Sequence, residues 1–154
     1  MSTPAPVRRV QEAVDAAARA VAAQDRAALD EASDLLARTD PELQRVLLAG
    51  AVRVALERAH PAGLDSEVAR DLLERCVRSG LAWLPDVEVP ALVLAVTGAL
   101  GMQDPDEEPE LPAAQIAVHA VLLLAELGAG PEQAARDLDV AVAELTRAET
   151  VEMP

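Results

Sequence analysis

The chain has 154 residues and a formal net charge of −14, from 13 arginines, no lysine and 27 acidic residues; this is the size of one domain, 1–154, able to bury about 70% of the surface its unfolded chain exposes. So acidic a surface repels phosphate backbones and anionic headgroups, which argues against nucleic acid or a membrane as partner and favours a basic protein, unless the charge serves only solubility. One cysteine excludes an internal disulfide, and the opening Met-Ser-Thr-Pro-Ala-Pro lacks the charged and apolar regions of a secretory signal, so a cytoplasmic location is expected.

The absence of Lys, Asn, Phe and Tyr, with a single Ile, follows AT-rich codons and points to a GC-rich bacterial genome. In chain order, Val7, Val10, Val14, Ala17, Ala18 and Val21 mark a first amphipathic helix with a thin apolar stripe, and Arg8, Arg9, Glu12, Asp15 and Arg19 opposite. A second helix is predicted from Asp25, as N-cap, to Arg38, with Leu29, Ala32, Leu35 and Leu36 inward. No Gly or Pro separates the two, so one continuous helix is the alternative. Asp40-Pro41 caps and opens a third helix, whose apolar face of Leu43, Val46, Leu47, Gly50 and Val54 ends before His60-Pro61. The fourth starts at Asp65 or Ser66, carries Val68, Leu72, Leu73, Cys76 and Val77 on one face, and gives way at Gly80 to a short apolar turn containing Trp83. Its other face pairs Asp71 with Arg75 and Glu74 with Arg78 at a spacing of four.

The stretch from Val89 to Leu127 organises the rest. Pro90 opens one nearly uncharged helix that Gly101 can stop, and Pro112 opens another that Gly128 caps. The first is apolar on every side and is expected to be buried all round. The second is polar only at Gln115, His119 and Glu126, which share one stripe. Each uncharged run spans about 22 Å, short of a hydrocarbon core of roughly 30 Å, so a core hairpin is expected rather than a membrane hairpin. The last helix starts at Gly130-Pro131, with Ala134, Ala135, Leu138, Ala141, Val142 and Leu145 inward and Glu132, Arg136, Asp137, Glu144 and Arg147 outward, and fades after Thr146. Residues 1–6 and 150–154 are expected to be flexible. The predicted fold is all-α, a compact bundle of about seven mostly antiparallel helices around that apolar hairpin; a short helical-repeat array is the alternative, without residue-level self-similarity to support it.

Chemical signals are sparse. Cys76 lies on an apolar face, where a thiol is inert, and His60 sits at a helix C-terminus, where its imidazolium suits the dipole. Two separated histidines and one cysteine give no zinc set, no Gly-rich phosphate loop is present, and no cofactor is implied. The loop from Asp104 to Glu110 carries Asp104, Asp106, Glu107, Glu108 and Glu110 but lacks the glycine and twelfth-position acid of a calcium loop. From Asp86 onward, over residues 86–154, only Arg136 and Arg147 stand against fourteen acids, leaving about −12 there. Two functions follow. The first is a non-enzymatic interaction module, a regulator, adaptor or antidote-like protein, holding a basic partner through these acids and Trp83. The second is a small-molecule or catalytic pocket beside Gln115, His119, Glu126 and Trp83, which requires a cavity converging on His119. Self-association as a homodimer is also expected, through the stripe of the first or last helix.

Overall fold

The first helix, α1 (Ala5–Ala23), ends where Gln24 enters the left-handed region with φ 51°. That residue separates two helices, because the Asp25 carboxylate then accepts the Ala28 N–H at 3.1 Å and starts α2 (Arg26–Ala37) afresh. The computed structural model describes residues 3–104 and 111–152. Asp40 and Asp65 do the same work for α3 (Pro41–Ala59) and α4 (Ser66–Leu81), accepting the N–H groups of Leu43 and Val68 at 3.0 and 2.9 Å. Each satisfies one donor that a first helical turn leaves free. Helix α5 (Val89–Ala99) is followed by Gly101 at φ 69°, and α6 (Ala113–Glu126) by Gly128 at φ 85°, where the Ala129 N–H returns to the Leu124 carbonyl at 2.9 Å. Helix α7 (Pro131–Glu152) completes an all-α bundle of seven helices among the described residues.

The packing is not that of a repeat array. In a solenoid each unit touches only its neighbours, whereas here α7 lies against α3 and α1, and α6 against α1, α2, α3, α4 and α5. Of the central hairpin, α6 is the enclosed member: Ala117 and the run from His119 to Leu124 are buried, with Leu123 fully so. Helix α5 is not buried all round as expected. It is covered by α6, α3 and α4 through Ala91, Leu92, Ala95, Val96 and Ala99, while Val89 and Val93 face outward at 50% and 39% exposure.

The second central helix is α3. Its inward arc is Leu47, Leu48, Gly50, Ala51, Val52, Ala55 and Leu56, rotated from the expected face, so that Val46 is exposed and Leu43 and Val54 are half-buried. The cause is its three large neighbours, α5, α6 and α7. Small residues admit those backbones closely, and hydrophobicity alone ranks them below Val. Leu35, expected inward, is likewise exposed. Helix α4 runs through Gly80 to Leu81, and the missing Cβ at Gly80 makes room for Val87: an added Cβ would stand 2.7 Å from Val87 Cγ2.

The last helix also runs further than expected. Residues 5, 6 and 150–152 are helical, and α7 continues past Thr146 while the Thr146 and Thr150 hydroxyls donate to the carbonyls four residues back, both at 2.9 Å. Asp137, expected on the outer face, is 1% exposed. The α1 stripe is covered by α2, α6 and α7, and the α7 stripe by α3 and α1, so neither is the free face expected to receive a second copy.

Candidate functional site

The polar stripe of α6 divides between two places. His119 is 4% exposed and has both ring nitrogens engaged: Nδ1 lies 2.8 Å from the Gln115 carbonyl, and Nε2 accepts the Glu88 backbone N–H at 3.0 Å. These partners fix the neutral tautomer with its proton on Nδ1, and burial lowers the imidazole pKa, opposed by the Gln115 carbonyl and the Glu88 charge. His119 therefore holds the residue that precedes α5, taking one of the N–H groups that the start of that helix leaves free. A hollow of about 330 Å³ does converge on it, lined also by Asp30, Ser33, Asp86 and Gln115. Neither nitrogen is free to act as a base there. Trp83 is half-buried against the core beyond the end of α4, and does not line that hollow.

Glu126, at the far end of α6, lies near Cys76, whose buried thiol is pushed up to about 12 first by desolvation and then by that carboxylate. Cys76 is thus a protonated core residue. His60 caps α3, its N–H donating to the Leu56 carbonyl at 2.8 Å, and its Nε2 is buried. No group of three or more His, Cys, Asp or Glu gathers to hold a metal ion among the described residues.

Arginines from the first sixty residues reach across the fold to the C-terminal acids. Arg58 forks onto buried Asp137 at 2.6 and 2.9 Å, Arg53 pairs with Glu144, and Arg26 reaches Asp86 at 3.4 Å. Gln133 adds a third donor to Asp137 at 3.0 Å. Asp104 is described and exposed, whereas Asp106, Glu107, Glu108 and Glu110 lie outside the described residues.

A further feature was not anticipated. Between α3, α5 and α6 lies a cavity of about 310 Å³ whose wall includes Leu48, Leu94, Ala95, Ile116, Ala117 and Ala120, with Glu42 and Arg45 paired to each other at its edge. A second hollow of about 260 Å³, between α3, the end of α5 and α7, shares Ala49 and Gly98 with the first. Together they make a groove along one side of α3. Apolar residues stand exposed beside it: Val46 at 41%, Leu100 at 43% and Met102 at 71%. Gln44, 2% exposed, forms part of the deeper wall; its Nε2 donates to the Leu36 carbonyl at 2.8 Å and to the Thr39 hydroxyl at 2.6 Å, and its Oε1 is buried without a partner. No signal in the sequence marks this groove, because three helices contribute single apolar or small residues that each read as core.

No single helix among the described residues is long and apolar enough to cross a membrane. Comparison with known proteins finds no matching protein family, no matching curated protein and no matching solved structure.

Proposed function

We propose that the protein is a non-enzymatic interaction module that seats an amphipathic helix of a basic partner in the groove along α3. The observation that carries this reading is the groove itself. It is open, apolar along its floor, flanked by exposed Val46, Leu100 and Met102, and edged by charges already paired within the chain, Arg45 with Glu42 and Arg53 with Glu144. A helix laid in such a groove contributes apolar residues at i, i+3, i+4 and i+7. With the edge pairs neutralised, the long-range field comes from the net charge of −14, which attracts a basic segment and repels a second copy of this chain. Against the alternative of a catalytic pocket at His119 stands the engagement of both its ring nitrogens.

The test is selection of helical peptides from a random displayed library on the full chain. Enriched peptides should be net positive, repeat apolar residues at helical spacing, and lose binding on Ala49→Arg or Leu94→Asp, with the fold checked by circular dichroism. Enrichment of acidic peptides, or binding indifferent to both changes, refutes the reading.

A further inference from the structure

We infer that His119 is a proton-operated latch on the start of α5: the neutral ring holds the Glu88 N–H, and a proton on Nε2 loosens the first turn of that helix while the rest of the bundle stays folded. The inference concerns α5 alone and stands whether or not the groove takes a partner. It begins with how α5 starts. Helices α2, α3 and α4 each begin on an aspartate that accepts an N–H of its own first turn, whereas the side chain of Glu88, the N-cap of α5, caps nothing. Three residues on, where a Glu or Gln would reach back to the N-cap N–H, stands Ala91. The Glu88 N–H goes instead to Nε2 of His119, on another helix, at 3.0 Å.

That end of α5 has little of its own to hold it. The helix is 11 residues long, under the roughly 12–15 at which a helix persists alone, and Val89 and Pro90 at its start are exposed. Asp86, Val87 and Glu88 border the hollow of about 330 Å³ beside the ring rather than packed core on every side. Leu84 and Leu92 are buried on either side of the junction, so they confine the loosening to the residues between them. The ring supplies the switch. Nδ1–H donates to the Gln115 carbonyl at 2.8 Å, so Nε2 is the atom left to take a second proton, and it is the atom that holds Glu88. A proton there turns an acceptor into a donor facing a donor. Burial disfavours that charge, while the Gln115 carbonyl and the Glu88 charge favour it, so the latch works as pH falls below the ordinary imidazole value of about 6.5. Asp30 of α2 and Asp86, itself paired with Arg26 at 3.4 Å, line the same hollow; among the described residues no other helix adds an acidic or basic side chain to that lining.

The experiment follows the isotopically labelled full chain by NMR between pH 7.5 and 5.5, reading the ring nitrogens directly and the backbone amides by hydrogen exchange corrected for its intrinsic pH dependence. At pH 7.5 His119 should be neutral with its proton on Nδ1. As the ring titrates, the amides of Glu88 and of Leu92, which donates to the Glu88 carbonyl at 3.2 Å, should lose protection about tenfold, the size of one well-made hydrogen bond, while Leu47 and Val52 of α3 keep theirs. His119→Gln, an acceptor that does not titrate, should keep Glu88 and Leu92 protected throughout. His60→Gln, which removes the other histidine, should leave the native response unchanged. Should His119→Gln fail to fold, the native chain and His60→Gln decide the matter. A ring that stays neutral over this range overturns the inference. So does Glu88 protection that ignores the His119 titration, or that is lost together with Leu47 and Val52 in one global transition.

Discussion

His119 and Asp137 are buried polar residues that each take a partner from outside their own helix, Glu88 and Arg58, and each makes the fold sensitive to a single proton or a single side chain. Burial lowers the His119 pKa below the ordinary value of about 6.5. The unfolded chain therefore binds a proton that the native chain refuses as pH falls below about 6.5, so stability is whole above that value and declines beneath it. Protonation would also set an N–H against the Glu88 N–H that Nε2 now accepts. The Gln115 carbonyl and the Glu88 charge favour the charged form, which moderates the loss. Urea midpoints should drop between pH 7.5 and 5.5, and His119→Gln, which accepts without titrating, should flatten part of that drop; an unchanged profile would discard the assignment. Asp137 is a different case, a carboxylate sealed by Arg58 and Gln133. Arg58→Met strands it and should cost about 3 kcal/mol, the low end for breaking a buried pair because Arg58 is itself 40% exposed. The double change Arg58→Met with Asp137→Leu should cost less than the single one, as thermal denaturation of both variants would reveal.

Glycine shows how the helices are set against one another. Replacing Gly by Ala inside a helix ordinarily gains up to about 1 kcal/mol. At Gly50 the added Cβ would lie 2.7 Å from the Ala141 Cβ, backed by helix backbone, so α3 and α7 must separate. Gly50→Ala should lower stability, and Gly98→Ala, whose new methyl meets only Gln103 at 3.5 Å, should raise it by about 0.5 kcal/mol. Opposite signs in the two denaturation midpoints test the claim. The same contact explains what was legible beforehand. Helix starts at Asp25, Asp40 and Asp65 were, because an aspartate before a helical run has a local partner three residues on. The enclosure of Leu123 and Val96 was, because their helices are apolar on most sides. The facing of α3 was not: when Ala and Gly make the close contact, the buried arc follows backbone approach rather than hydrophobicity. The burial of Asp137 was invisible because its partner, Arg58, belongs to another helix. The groove escaped for the corresponding reason, being a gap between helices rather than a pattern along one.

Taken whole, the molecule has an unbalanced charge and an interleaved chain. Asp106→Asn, Glu107→Gln and Glu108→Gln together should slow association of a basic groove-binding peptide, which the net charge of −14 attracts, with the thermal midpoint followed as the check on the fold. Raising salt from 0.1 M, where screening acts over about 10 Å, to 1 M, where it acts over about 3 Å, should slow the native chain in the same direction. Stopped-flow rates indifferent to both would reduce the acidity to a solubility feature. The interleaving lies in α7, the last helix in sequence, which covers α3 and α1. As the chain leaves the ribosome, α1 and α2 can close on each other at once, while the inner arc of α3 must wait for a helix translated long after it. The closing order makes assembly a late, long-range event, slower than helix content alone would suggest. A chain stopped before Pro131 should retain helical circular dichroism yet bind the dye ANS and lose a cooperative unfolding transition, the behaviour of a collapsed intermediate still missing its lid.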